Sequence, residues 1–362
     1  MDPTWNPNLK PGLAELADLA ALTDRNTTNA TAGHELTAAE LWTALHQLGV
    51  DGRMLVVGED PEVYAGLPRT ERLISPGVIG QLVGRVPGAS WPHTQLHLQQ
   101  AGAAPNPVDL VIANIPVNDL VIHSAEAAAQ HWQGQAVNAL GSVALTRPNG
   151  LTVLLASSRL LDDTEPYPRR EMSRMTEFLG ALRLPAGTFR HAPGNDGTVD
   201  LILLHNSGTP GRIPFTASVP VTLDGRTVHI NEYYDTHPEH VLGTLTSRDN
   251  PWGPADTTVV PDHADLSTEL RTALTDITAA ARARGLITRP EPTGTGAPIF
   301  SAAPRPGSRP PTRSSAIPAQ TLRQVRAVVA RLRAQHRRSD PAAPDRPTPR
   351  RAPGPEPESP EL

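Results

Sequence analysis

The chain has 362 residues, a formal net charge of −5 and no cysteine. This length suits one large or two small domains, and the lack of cysteine excludes disulfides, zinc–thiolate sites and cysteine nucleophiles. No apolar run approaches the ~20 residues of a membrane span. The first residues, MDPTWNPNLKPG, have neither the basic start nor the apolar core of an export signal. We therefore expect a soluble cytoplasmic protein that does not enter a membrane.

The amino-terminal part is predicted to be helical. Two helices are predicted, over Leu13–Leu22 and from a capping box at Thr37 to about Leu48, with a polar stretch at Asp24–His34 between them. We expect residues 1–35 to form a helical linker segment and residues 36–208 to form the main domain.

The main domain alternates predicted strands with predicted helices. The strands are predicted over Met54–Val57, Val108–Ala113, Leu151–Ala156 and Thr198–Leu204; the helices are predicted around Pro76–Arg85, over Ala125–Leu145 and around Arg169–Leu179. This alternation predicts an α/β fold with a doubly wound, mainly parallel sheet. After Gly208, a hairpin around Asp224-Gly225 and a helix over Leu266–Ala281 predict a small extension, residues 209–288.

The last part of the chain differs sharply in composition and charge. Residues 289–362 carry 13 arginines and 6 acidic residues, which gives +7 and leaves −12 for the preceding part. They also hold 16 of the 39 prolines. Such a composition cannot build a core, so we predict a disordered Pro/Arg-rich tail. Within it, residues 321–338 predict either a solvated helix or a basic helix that docks on nucleic acid or a partner.

The most informative stretch is Val108–Val117, VDLVIANIPV, in which a buried strand leads into Asn114-Ile115-Pro116-Val117. A polar amide followed by proline at the carboxyl end of a buried strand is where open α/β sheets place their chemistry. This arrangement resembles the catalytic loop of the amino-methylating DNA methyltransferases, Asn-Pro-Pro-aromatic, with Val117 in the place of the aromatic residue.

Three further segments extend this resemblance to the adenine-N6 methyltransferase region of bacterial methylase–helicase and antirestriction-type proteins. They are Leu145–Leu154 with Ser157-Ser158-Arg159, Arg170–Phe189, and Val228–Gly243. The last, VHINEYYDTHPEHVLG, is similar to the family's NEYF-x-x-HPE-x-VLG element. The resemblance spans about residues 36–262. It implies a Rossmann-like methyltransferase fold, S-adenosylmethionine as cofactor, DNA as substrate and a helicase as partner.

The resemblance also implies the catalytic candidates Asn114, Ile115, Pro116 and Val117. The exocyclic amine of adenine is a poor nucleophile because its lone pair is delocalised into the ring. The Asn114 side-chain oxygen and the carbonyl of Ile115 or Pro116 would accept hydrogen bonds from this amine and localise the lone pair. Val117 cannot stack on a flipped base, and such stacking is worth roughly 1–3 kcal/mol.

The cofactor-binding candidates are Gly58, Glu59, Asp60 and Asp109. The loop after the first strand falls opposite the family's glycine-rich turn, where the backbone approaches the methionine and ribose of the cofactor. Asp60 and Glu62 stand in the place of two glycines. Leu73–Pro76 falls opposite the family's Glu-Leu-Asp-Pro, so the carboxylate that binds the ribose is missing, and Glu59, Asp60 or Glu71 are its candidate substitutes.

Three functions therefore remain open. The first is an S-adenosylmethionine-dependent DNA adenine-N6 methyltransferase with substituted motifs. The second is a catalytically inert methyltransferase-fold module that binds DNA or a helicase partner, with the arginine-rich tail as attachment. The third keeps the chemistry but moves it to RNA bases or protein glutamine amides. The chain has no G-x-x-x-x-G-K-[ST] loop, so it is not itself the helicase.

Several other polar residues have two interpretations. Arg183 and Arg190 either contact phosphate or lie on a solvated surface. His237 and His240 flank Pro238-Glu239, where a metal site would need further ligands, and Asn231–Tyr234 is expected to form packing and turn contacts.

Overall fold

The computed structural model describes residues 13–72, 79–86, 97–98, 107–115, 125–189, 197–208, 211–250, 254–262 and 265–286. Pro116, Val117 and Arg190 lie outside the described residues, as do the 73–76 segment and the tail with its predicted helix at 321–338. Within the described ranges, no helix has the length and apolar character needed to cross a membrane.

The described residues form seven α-helices and eleven strands. The helices are α1 (Leu13–Gln47), α2 (Pro61–Tyr64), α3 (Ala125–Leu145), α4 (Arg159–Asp162), α5 (Tyr167–Met175), α6 (Glu232–Thr236) and α7 (Leu266–Ala283). The strands are β1 (Arg53–Glu59), β2 (Ile79–Arg85), β3 (His97–Leu98), β4 (Val108–Asn114), β5 (Thr146–Ser157), β6 (Glu177–Arg183), β7 (Val199–His205), β8 (Ser218–Leu223), β9 (Arg226–Asn231), β10 (Thr244–Arg248) and β11 (Asp256–Val260). Single 3-10 turns lie at Arg69–Glu71 and Pro238–His240.

A seven-stranded sheet forms the centre, in the order β3-β2-β1-β4-β5-β7-β6. β1, β4 and β5 are parallel neighbours, whereas β2 and β7 run antiparallel to the strands beside them. Five of the seven strands therefore point in one direction. The predicted mixed α/β fold with a mostly parallel sheet is confirmed at this level.

Helices cover both faces of the sheet because its central strands are apolar on both sides. Leu110 and Ile112 of β4 join one core with α1 and α7, and Ala113 joins a second core with α3 and the aromatic residues of the extension. α1 passes through residue 35 without a break, and α7 packs in the first core. The helix α1 thus enters this core from Leu36 onward, and α7 of the predicted extension packs in the same core.

The extension contains two hairpins, β8–β9 and β10–β11. The predicted hairpin around Asp224-Gly225 is confirmed: both turn residues have positive φ, 52° and 73°, as a two-residue hairpin turn requires. Leu242 N donates to Arg183 O at 2.9 Å. This contact covers the edge strand β6 and joins the extension to the main sheet.

Two predictions about local structure are wrong, and the helix predicted around Arg169–Leu179 ends at Met175, after which Glu177–Arg183 forms β6. The Asp24–His34 stretch does not separate two helices but lies within the 35-residue helix α1, since it contains no proline and only one glycine. The helix predicted around Pro76–Arg85 is replaced by β2, which pairs antiparallel with β1 from Ile79 to Arg85. Gly80 and Gly84 weaken a helix there, and pairing with β1 selects the strand.

Candidate functional site

The order of the strands reverses between β1 and β4. From β1 the chain runs outward to β2 and β3, and it then returns to form β4 and β5 on the other side of β1. In open α/β sheets, ligands bind beyond the carboxyl ends of the strands at such a reversal. Here those ends are Gly58–Glu59 of β1 and Asn114 of β4, so the topology brings these predicted site residues together.

Gly58 and Asn114 lie opposite each other in the parallel pair. Gly58 has φ 106°, and a Cβ at this position would collide with the carbonyl oxygen of Asn114. Only glycine permits both the backbone conformation and the close approach of the two strands. The glycine therefore shapes the point at which the two strands diverge.

Asn114 and Ile115 are both 3% exposed at this edge. The Asn114 side-chain Nδ2 donates to the carbonyl of Glu59 at 2.8 Å, and Ile115 N donates to Leu155 O of β5 at 2.9 Å. The amide nitrogen of Asn114 is thus engaged with the protein. Its Oδ1 atom is the acceptor that can serve the amine of a substrate.

The segment after β1 is acidic and buried. Glu59, Asp60 and Glu62 are 8%, 5% and 5% exposed. Asp60 adopts the left-handed conformation, φ 47° and ψ 49°, and Pro61 then begins the short helix α2, all of whose residues are buried. The sequence predicted a loop from Gly58 to Arg69; the structure forms a tightly packed turn at its start.

A histidine that the sequence did not single out contacts this segment. His34 of α1 is 1% exposed; its Nε2 lies 3.5 Å from Asp60 Oδ2, and its Nδ1 lies 2.8 Å from the Tyr64 hydroxyl. Its ring also stacks on Phe189, with centroids 4.2 Å apart and planes at 8°. The available signal was weak: a lone histidine after Gly33 in a polar stretch, far in sequence from Asp60.

Asp109 lies at the opposite end of β4 from Asn114. The two residues are five positions apart along the strand, or roughly 16 Å. Asp109 accepts a hydrogen bond from Arg53 N at 2.7 Å and pairs with Arg147. It also lines a crevice of about 30 Å³ that contains His205. The structure therefore does not bring Asp109 together with the other cofactor-binding candidates, and its contacts join neighbouring strands.

Comparisons with known proteins give only distant matches. No family model and no curated protein sequence matches the chain. One solved structure, the M protein of the type I restriction enzyme EcoKI, aligns at 12% identity and a TM-score of 0.22, covering 50% of this chain and 51% of that protein. A chain from a structure of a type I R-M system aligns at 17% identity and a TM-score of 0.19. That alignment covers 29% of this chain and 22% of the other.

The chain thus spans about half the length of the EcoKI M protein and about a fifth of the other matched chain. Both TM-scores lie below 0.5.

Arg183 is neither solvated nor positioned for phosphate, in contrast to both of its predicted roles. Its side chain is fully buried and binds Asp200 through two hydrogen bonds of 2.8 Å. It also binds both carboxylate oxygens of Asp162, at 2.7 and 2.9 Å, and lies 4.4 Å above the Tyr234 ring. Burial raises the pKa of Asp200, and Arg183 opposes that rise. The cluster joins β6, β7, α4 and the extension.

The segment Asn231–Tyr234 forms packing and turn contacts, as expected. Asn231 Nδ2 donates to the carbonyls of Leu161, Phe215 and Ala217, and its Oδ1 caps α6 by accepting from Tyr233 N. The Tyr233 hydroxyl lies 2.5 Å from Nδ1 of His240. In the described part of the chain, no group of three His, Cys, Asp or Glu side chains could hold a metal ion.

Proposed function

We propose that this protein is a DNA methyltransferase of the adenine-N6 type, with S-adenosylmethionine as methyl donor and the carboxyl edge of β1 and β4 as its site. The observation that carries the proposal is the position of Asn114. Asn114 is the last residue of β4, at the strand-order reversal. It lies opposite Gly58 and is 3% exposed. This is where an α/β sheet holds a ligand and where the family likeness requires an amine acceptor.

In this proposal the Asn114 Oδ1 atom accepts a hydrogen bond from the exocyclic amine of adenine. The acceptor localises the nitrogen lone pair, which otherwise delocalises into the ring. The Glu59 carbonyl holds the amide by accepting from Nδ2 at 2.8 Å, so the orientation of the acceptor is set before substrate arrives. Ile115, with its N–H bound to β5, is fixed in the same way.

The residues of the β1 edge suit the proposed donor in chemical type. S-adenosylmethionine supplies an activated methyl group and carries an ammonium and two ribose hydroxyls, all of which donate hydrogen bonds. Glu59, Asp60 and Glu62 supply buried carboxylate acceptors in the segment that follows β1. Asp60 and Glu59 are therefore the residues that would hold the donor, whereas Glu71 is exposed on its 3-10 turn.

Donor binding and methyl transfer test this proposal together. Calorimetry should detect S-adenosylmethionine binding to the full chain. Transfer of a labelled methyl group to adenine-containing duplex DNA should fall by about 10²–10³-fold in Asn114→Ala, the usual cost of losing one positioned polar group. The matched control is Asn138→Ala on the exposed face of α3, which should leave transfer unchanged. Absence of donor binding at millimolar concentration would overturn the proposal.

A second candidate function is an inert methyltransferase-fold module that binds DNA or a helicase. The packing around Gly58 favours it, since the strands touch there and every residue of α2 is buried. This function predicts DNA binding that weakens steeply with salt and is largely lost when residues 289–362 are deleted. Equal DNA binding by the truncated chain would exclude the tail from that role.

A further inference from the structure

We propose that Asp60 binds the ammonium group of S-adenosylmethionine and that His34 is its positioning residue. The inference rests on the proposed function. It assigns to Asp60 and His34 roles that the motifs of the methyltransferase family do not contain. In those motifs, glycine stands where this chain has Asp60. The tertiary structure shows what accompanies the substitution: a histidine from α1, 26 positions earlier in the sequence, lies against the new carboxylate.

The contacts of His34 fix the direction of its two nitrogens. Burial, together with the charges of Asp60 and Glu59, raises the pKa of the Tyr64 hydroxyl well above its ordinary value, so this group remains a neutral donor. When it donates to His34 Nδ1 at 2.8 Å, the ring proton resides on Nε2, which lies 3.5 Å from Asp60 Oδ2. Trp42 Nε1 in turn donates to the Tyr64 carbonyl at 3.1 Å. The Tyr64 end of this row of three side chains is thereby anchored to α1.

Helix α1 also connects the side chains of Tyr64, His34 and Asp60 to two other segments at the carboxyl edge of the sheet. The His34 ring stacks on Phe189, which follows β6. The neighbouring Glu35 binds Arg69 and Arg72, at 2.5 and 2.6 Å, beyond α2. Because His34 and Glu35 lie on one rigid helix, the segments after β1 and β6 are held in a fixed relation.

Charge selects the ammonium over the other hydrogen-bond donors of the cofactor. Three carboxylates lie within residues 59–62, and each is less than 10% exposed. A cation interacts with a buried carboxylate much more strongly than a hydroxyl does, because the interaction is weakly screened at buried positions. Asp60 Oδ2 lies 3.5 Å from His34 Nε2, and this contact defines the position of the Asp60 carboxylate.

Four variants and one control test the coupling through calorimetric titration with S-adenosylmethionine. His34→Phe keeps a ring against Phe189 but removes both nitrogens, Asp60→Asn removes the charge, and the third variant combines them. Each single change should weaken binding by about tenfold, and the double variant should be no weaker than the poorer single variant. His34→Gln, which retains an Nε2 donor, should recover most of the affinity. His46→Ala, on the exposed part of α1, should match the wild type.

The same titrations with 5′-methylthioadenosine, which has the ribose but lacks the ammonium, test the ligand group. Asp60→Asn should leave that affinity unchanged. Equal loss for both ligands would assign Asp60 to the ribose and overturn the ammonium assignment. Additive effects of His34→Phe and Asp60→Asn would overturn the positioning role while leaving the proposed function intact. Failure of the wild type to bind S-adenosylmethionine would instead overturn the proposed function and this inference with it.

Discussion

The two halves of the sheet bury charge in different ways. In the half built from β5, β6 and β7, the Arg183 guanidinium binds Asp162 and Asp200, so both acids have a cationic partner. In the half built from β1 and β4, three carboxylates lie within residues 59–62, and His34 lies beside one of them. The Arg183 cluster stabilises the frame. The acidic segment is where the proposed function places the ammonium group of the methyl donor.

This difference changes what the family-like segments mean. The longest of them supply Arg183, Asn231, Tyr233 and Tyr234, and all four side chains are engaged in packing, capping or ion pairs. The resemblance of these segments to the family therefore concerns residues that join the extension to the sheet, and not residues of the proposed site. The shorter Val108–Val117 segment ends at the strand-order reversal with Asn114, so the proposed chemistry depends on Asn114 and its surroundings.

The largest effect is expected where the Arg183 cluster is broken. Arg183→Met leaves Asp200, which is fully buried, without its cation, so the free energy of unfolding should fall by about 3–5 kcal/mol. Urea denaturation measures this loss. Arg174→Met is the matched control, because Arg174 is 64% exposed and pairs with Glu171 on the surface of α5. Its cost should stay within about 1 kcal/mol, and equal losses in the two variants would contradict the structural role assigned to Arg183.

A smaller effect is expected at the strand-order reversal. Gly58→Ala forces a Cβ against the Asn114 carbonyl at a φ of 106°, which should cost about 2–4 kcal/mol through strain and overpacking. Gly134→Ala provides the comparison, since a Cβ there meets nothing within 4 Å on α3. That change should raise stability by up to ~1 kcal/mol through helix propensity. Unfolding curves that rank the two variants in the reverse order would show that β1 and β4 do not touch at Gly58.

The smallest effect is expected from pH. Burial lowers the pKa of His205, against the pull of Glu177, and burial also lowers the pKa of His240. A lowered folded-state pKa means that the stabilising contribution is present above the unfolded value of about 6.5 and is lost as pH falls through the folded value. The urea midpoint should therefore be lower at about pH 5.5 than at about pH 7.5. His205→Gln should reduce this difference, and an unchanged difference would exclude His205 as a contributor.

Local sequence patterns predicted the elements whose apolar spacing is unambiguous. β4, α3, β7 and the β8–β9 hairpin all form where the spacing or the turn residues predict them. The sequence also placed Asn114 at the end of a buried strand, because that position depends only on the strand itself. These features follow from the chain's nearest neighbours in sequence.

Tertiary structure decided the features that depend on residues distant in sequence. The segment at Ile79–Arg85 became a strand because β1 was available to pair with it. Arg183 became buried because Asp162 and Asp200 reach it from other elements. The pairing of His34 with Asp60 likewise requires α1 to cross the loop after β1. Periodicity predicts which face of an element is buried, but only packing determines which charges meet there.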